Sequence, residues 1–188
     1  MNKTTTYKLF FIVAALLLPS ITAYSETEIR YLQPSAFPRL PKDIRRSLES
    51  RGCAIPQVYD ESLPHNVIRG EFIKKGQKDW AVLCSTEKIS TILIFEGSTT
   101  RKVTELASCP NDVYLQNVGD EQYGFSREIM IGEKDQILQY NKNFKEFMAE
   151  EQNLPPITHD GIEDVFVNKG SVVHYYYKGK WLELSGSD

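Results

Sequence analysis

The stretch "HDGIED" gathers an imidazole and three carboxylates, from His159, Asp160, Glu163 and Asp164, within six residues. Those groups suit a zinc or hard divalent ion, or the acid–base work of a hydrolase or metal-dependent enzyme. No metal-ligand spacing such as His-Glu-x-x-His accompanies them, and a hydrogen-bonded loop histidine is the competing reading. Of the other histidines, His65 follows Pro64 in a loop, and His174 falls on an apolar, aromatic strand, where a half-buried role with no chemistry is expected. Glu150 and Glu151 are adjacent, so on a helix or a strand their carboxylates diverge.

Cys53, Cys84 and Cys109 are the only thiols. Without a Cys-x-x-Cys pair they support neither a thioredoxin-like redox role nor a thiolate zinc knot. Cys109 with a distant histidine could imitate a thiol hydrolase, but Pro110 beside it and the odd cysteine count account for it equally well. Neither Gly-x-Ser-x-Gly nor Ser-x-x-Lys occurs, and the glycines are isolated turn residues rather than a phosphate-cradling loop. No catalytic, cofactor-binding or metal-ligating residue is therefore assigned, and no cofactor is expected.

The compartment follows from the N-terminus. Lys3 and Lys8 precede the ten-residue apolar run Leu9 to Leu18, Pro19 ends it, and Ala23-Tyr24-Ser25 sets small residues before Glu26. That is the plan of a secretory signal peptide over residues 1–25, and the run is shorter than the ~20 residues a membrane span needs. The expected mature chain, 26–188, is one globular β-rich domain with no membrane span, periplasmic or secreted. Its formal net charge moves from −3 to −5 without the two signal lysines, which argues against nucleic acid or anionic lipid as partner. The densest basic group, Lys42, Arg45 and Arg46, reads as the solvated face of one helix.

In an oxidising compartment three cysteines give one disulfide and one free thiol. Cys53–Cys84 is favoured, because it ties the end of a helix to a central strand; Cys84–Cys109, from strand to Pro-containing turn, is the rival. Either closes a loop in the unfolded chain; for Cys53–Cys84 the chain-entropy gain is about 3–4 kcal/mol.

These residues need a scaffold. Pro41, Ile44, Leu48 and Gly52 outline a short helix over about 41–51, with a proline start, an i, i+4 stripe and a glycine stop. "NVIRGEFI" alternates, whereas "WAVLCS" and "STILIFE" are apolar on both faces and fit central strands joined through the polar "TEKI". Weaker strands are expected at "RKVTEL", "DVYLQNV", "REIMI" and "QILQY". Asn143 and Glu146 could form a capping box ahead of Phe147 and Met148. "SVVHYYYKGKWLEL" is a hairpin about Lys178-Gly179, whose Tyr175, Tyr177 and Trp181 pack across strands. The fold class is mainly β (α+β): an antiparallel sheet or sandwich of short strands with one short N-terminal helix.

"RGEFIKKGQKDWAVLC", with Gly70, Phe72, Gly76 and Asp79 ahead of an apolar strand, resembles a degenerate FG-GAP unit of the integrin-like β-propellers. "HDGIEDVFV", with Asp160-Gly161 and Asp164, is similar to the end of such a loop. The resemblance implies a calcium loop, and the residues oppose it. Calcium takes six to eight oxygens, yet Lys74, Lys75 and Lys78 fill the first loop and Pro156 and Thr158 stand early in the second. Both are read as metal-free turns, with Asp79 and Asp164 capping backbone amides. A propeller of four or more blades also needs more chain. The expected function is a non-catalytic exported domain, binding or structural at the cell envelope, with a protein or glycan partner. The alternative is an envelope hydrolase or metal-dependent enzyme around His159, Asp160 and Asp164.

Overall fold

The computed structural model describes residues 29–120, 122–148 and 154–187; the expected signal peptide lies outside them. In chain order the elements are β1 (Tyr31–Leu32), α1 (Lys42–Ser50), β2 (Ile55–Pro56), β3 (Val67–Gly70), β4 (Asp79–Thr86), β5 (Ile89–Phe95) and β6 (Val103–Pro110). There follow β7 (Leu115–Gly119), β8 (Gln122–Phe125), β9 (Arg127–Gly132), α2 (Lys134–Met148), β10 (Gly161–Phe166), β11 (Gly170–Tyr177) and β12 (Lys180–Ser185). Two four-stranded antiparallel sheets, ordered β3-β4-β5-β6 and β12-β11-β10-β9, carry the mainly β fold, with the small pairs β1-β2 and β7-β8 beside them.

Strand β4 shows why the chain stacks in layers. Its residues alternate between two faces, and both faces are apolar. Trp80, Val82 and Cys84 pack with Leu93 and Phe95 against Ile44 and Leu48 of α1. Ala81 and Leu83 turn the other way with Ile92 and Ile94, against Ile129 and Ile162 of the second sheet. The far face of that second sheet, Val173, Tyr175 and Leu184, is covered by Ile137 of α2. The order is helix, sheet, sheet, helix. Each large apolar side chain removed from water in these interfaces contributes about 1.5–3 kcal/mol.

The local signals explain the first helix and its bridge. Gly52 has φ +68, its N–H donates to Glu49 O, and the Cys53 N–H donates to Leu48 O, which is a Schellman stop. The chain leaves that stop with Cys53 beside β4, where Ala54 and Ser85 exchange backbone hydrogen bonds. Cys53 and Cys84 are disulfide-bonded and Cys109 is a free thiol. The C-terminal hairpin turns at Lys178-Gly179, both at positive φ, with Tyr177 opposite Lys180.

Three expectations need correction. "QILQY" is helical: it opens α2, because Ile137, buried, and Tyr140, partly buried, recur on one helix face while Leu138 stays 42% exposed. The helix begins at Lys134, and the N–H of Glu133 just before it donates to Gln136 Oε1, so Asn143 sits inside the helix and accepts from Gln139 Nε2 instead of capping it. The short N-terminal helix is thus joined by a longer second one. Strand β3 stops at Gly70, short of the expected Ile73, because Phe72 folds back over it; a Cβ at Gly70 would stand 2.6 Å from the Phe72 ring. Among the described residues no helix is long and apolar enough to cross a membrane, and no sheet closes on itself.

Candidate functional site: a cavity over a buried ion pair

Strand β9 points Arg127, Ile129 and Ile131 toward the first sheet, and β10 points Ile162, Asp164 and Phe166 the same way. Their register sets Arg127 opposite Phe166 and Ile129 opposite Asp164, so the two charged residues are diagonal neighbours on one face. Arg127 is fully buried. Its Nε donates to Asp164 Oδ1 at 2.9 Å and its Nη2 to Asp164 Oδ2 at 2.7 Å, a bidentate pair. Its Nη1 donates to Ser90 O and Ser90 Oγ, and its Nη2 also to Ala107 O at 2.7 Å. All five guanidinium N–H groups have partners.

A backbone irregularity makes this possible. Ala107 has φ +49, and the β5–β6 register shifts between Ser90 and Ile92. The bulge turns the Ala107 carbonyl onto the guanidinium, a placement that a regular ladder would not give. The Tyr114 ring lies 4.7 Å from the guanidinium carbon and completes the enclosure.

The charges set one another. Burial alone would lower the Arg127 pKa, but the hydrogen bonds and charge of Asp164 outweigh it and hold the guanidinium above its ordinary value. Burial would likewise raise Asp164, yet the hydrogen bonds and charge of Arg127, with the His174 imidazole 3.6 Å away, hold it below the usual carboxylate range. Burial, then the Asp164 charge, push the Tyr114 phenol up.

Above the pair lies an open cavity of about 590 Å³, lined among others by Cys109, Tyr114, Asp164, Lys169, His174 and Glu183. That size falls in the range of small-ligand sites. Cys109 sits directly across from Ser90, so its side chain shares the face on which Ser90 meets Arg127. His174 is 5% exposed, and its Nε2 has no hydrogen-bond partner; it stands 3.6 Å from Asp164 Oδ2.

The residues singled out from sequence are placed apart by their partners. His159 stacks on Tyr175 at 4.4 Å, with Nδ1 2.9 Å from Asp160 O and Nε2 3.0 Å from Tyr176 O. Asp160 accepts the Glu71 N–H at 2.8 Å, and its own N–H returns to Glu71 O, which ties together the loop after β3 and the loop before β10. Asp164 does not cap a turn; it is mid-strand and paired with Arg127. Asp79 does cap, accepting from the Ile73 and Gly97 N–H groups. Among the described residues no group of three or more His, Cys, Asp and Glu could hold a metal ion.

Sequence reasoning missed Arg127 and gave His174 no chemistry. The one available signal was phase: in "REIMI" a cation occupies the inward position that Ile129 and Ile131 repeat. Comparison of the chain with family models, curated proteins and solved structures returns no match.

Proposed function

We propose that the chain is an exported, non-catalytic domain of the cell envelope that binds a protein or glycan partner through the cavity over Arg127 and Asp164. The observation that carries this reading is the saturation of the ion pair. Arg127 spends every N–H on Asp164, Ser90 and Ala107, so it holds shape and has no donor left for a reacting group. A rigid floor of that kind favours recognition, since ordering has been accomplished before a partner arrives. The Cys53–Cys84 bridge is compatible with an oxidising compartment, and the N-terminal sequence has the plan of a signal peptide. The hydrolase reading around His159, Asp160 and Asp164 finds no support in partners that lead these side chains away from one another.

The test is retention of partners from envelope extract by the mature chain and by Val113→Arg. Val113 lines the cavity and is 53% exposed, so the change fills the mouth without disturbing the core. The expected result is a specific partner retained by the mature chain and lost by V113R. Equal retention by both, or hydrolysis of a generic ester or peptide panel with nothing retained, would overturn the reading.

A further inference from the structure

Both ring nitrogens of His65 are assigned by their partners. The Val58 N–H donates to Nε2 at 2.8 Å, and Nδ1 stands 2.9 Å from Leu63 O. A backbone N–H only donates and a carbonyl only accepts, so the ring is neutral, with its one proton on Nδ1. The imidazole thereby closes residues 58–65 into a loop whose two ends lie side by side. The other fastenings of this loop are amides and backbone groups, which do not titrate. Gln57 Oε1 accepts the His65 N–H at 3.0 Å, and Gln57 Nε2 donates to His65 O at 3.1 Å. The Tyr59 N–H donates to Phe125 O at the end of β8, and Tyr59 lies across Gly124, where a Cβ would stand 2.5 Å from its side chain. Val58, next to the ring, is 3% exposed.

A second proton, on Nε2, would set N–H against N–H, so the Val58 hydrogen bond survives only with the neutral ring. The charged ring is drawn elsewhere. Glu128 comes from β9, Asp60 and Glu61 from the loop itself, and all three carboxylates lie within electrostatic reach of one another, with His65 acting on Glu128 as well. Burial raises the Glu128 pKa, and the charge of His65 opposes that rise while Glu61 and Asp60 add to it. Arg30, ahead of β1, is the cation at this loop, and its guanidinium is committed to Glu61 O and Ser62 O.

We propose that His65 is an acid-released clasp: its neutral ring holds the 58–65 loop shut, and its protonation frees Val58 and opens the loop. The inference stands apart from the reading of the cavity over Arg127. The open loop accepts the proton more readily than the closed one, so by linkage a fall in pH shifts the population toward the open loop.

Nitrogen NMR of the mature chain is the test, with amide protection followed from about pH 7.5 to about pH 5.5, inside the range where imidazoles change charge. At the upper end the His65 ring should show a protonated Nδ1 and a bare Nε2. On acidification Nε2 gains its proton and protection at the Val58 amide falls by up to about tenfold, the scale of one lost hydrogen bond. Protection at Val82 and Leu83 in β4 should stay constant, which separates release of the loop from unfolding. His65→Gln sets an amide oxygen near the Nε2 position and has no charge to gain, so its Val58 protection should be flat across the range. Glu128→Gln removes one attraction for the charged ring and should shrink the fall seen in the parent chain. An equal fall in H65Q would sink the proposal. So would a parent ring that keeps its bare Nε2 and its Val58 bond at the acid end, a readout that stands even where H65Q does not fold.

Discussion

Strand β10 carries two neighbouring buried carboxylates on opposite faces, and the molecule satisfies them by different means. Asp164 points between the sheets and meets a cation, Arg127, in a bidentate pair. Glu163 points toward α2, is fully buried, and accepts hydroxyl hydrogen bonds from Ser171 at 2.6 Å, Ser187 at 3.3 Å and Tyr140 at 3.4 Å. One site is a pair of opposite charges whose members cannot be separated cheaply. The other is a single charge shared among several weak donors, each replaceable. The lesson is that equal burial does not mean equal fragility: the number and charge of the partners decide it.

The largest effect should come from breaking the pair. Arg127→Ala leaves Asp164 buried without its cation and should cost about 3–5 kcal/mol in urea unfolding. Next, Ser171→Ala removes the shortest donor to Glu163 and the acceptor of the Ser187 N–H, for about 1–3 kcal/mol. If Ser171→Ala cost as much as Arg127→Ala, the distinction between the two faces would be lost.

Acid sharpens the contrast. The Asp164 pKa is depressed in the folded chain, so its contribution is full above the unfolded carboxylate value of about 3.9 and is lost as pH falls through the lower folded value. Stability of the parent chain should therefore drop below about pH 4, and Asp164→Asn, though less stable at neutral pH, should show a shallower acid slope. Smallest of all, Glu105→Gln breaks the exposed pair with Arg51 and should change stability by less than about 0.5 kcal/mol. A larger loss there would mean that surface charge, and not the inward face of β10, governs electrostatic stability.

The parts legible in sequence were those whose signals are local. Pro41, the Ile44–Leu48 stripe and Gly52 outline α1, and the two-faced apolarity of β4 foretells a strand covered on both sides. The Cys53–Cys84 pairing follows from the same helix stop meeting the same strand. Helix α2 was obscured because "QILQY" alone fits alternation as well as helical period; only the longer run through Phe144 separates them. Arg127 and Asp164 lie 37 residues apart in sequence, and nothing local says that their strands are neighbours in one register. His174 is assigned to the cavity only by that same pairing. The cluster "HDGIED" was read as one site because its residues are close in sequence, yet strand alternation sends Glu163 and Asp164 to opposite faces.

The most direct test of this account is a double-mutant cycle on Arg127→Met and Asp164→Leu, measured by urea unfolding. If the pair is a closed unit that shapes the cavity floor, each single change costs about 3–5 kcal/mol, and the double variant recovers most of that loss, giving a coupling of about 2 kcal/mol or more. A double variant whose loss equals the sum of the singles would show that the two residues act independently, and the floor of the cavity would have to be explained another way.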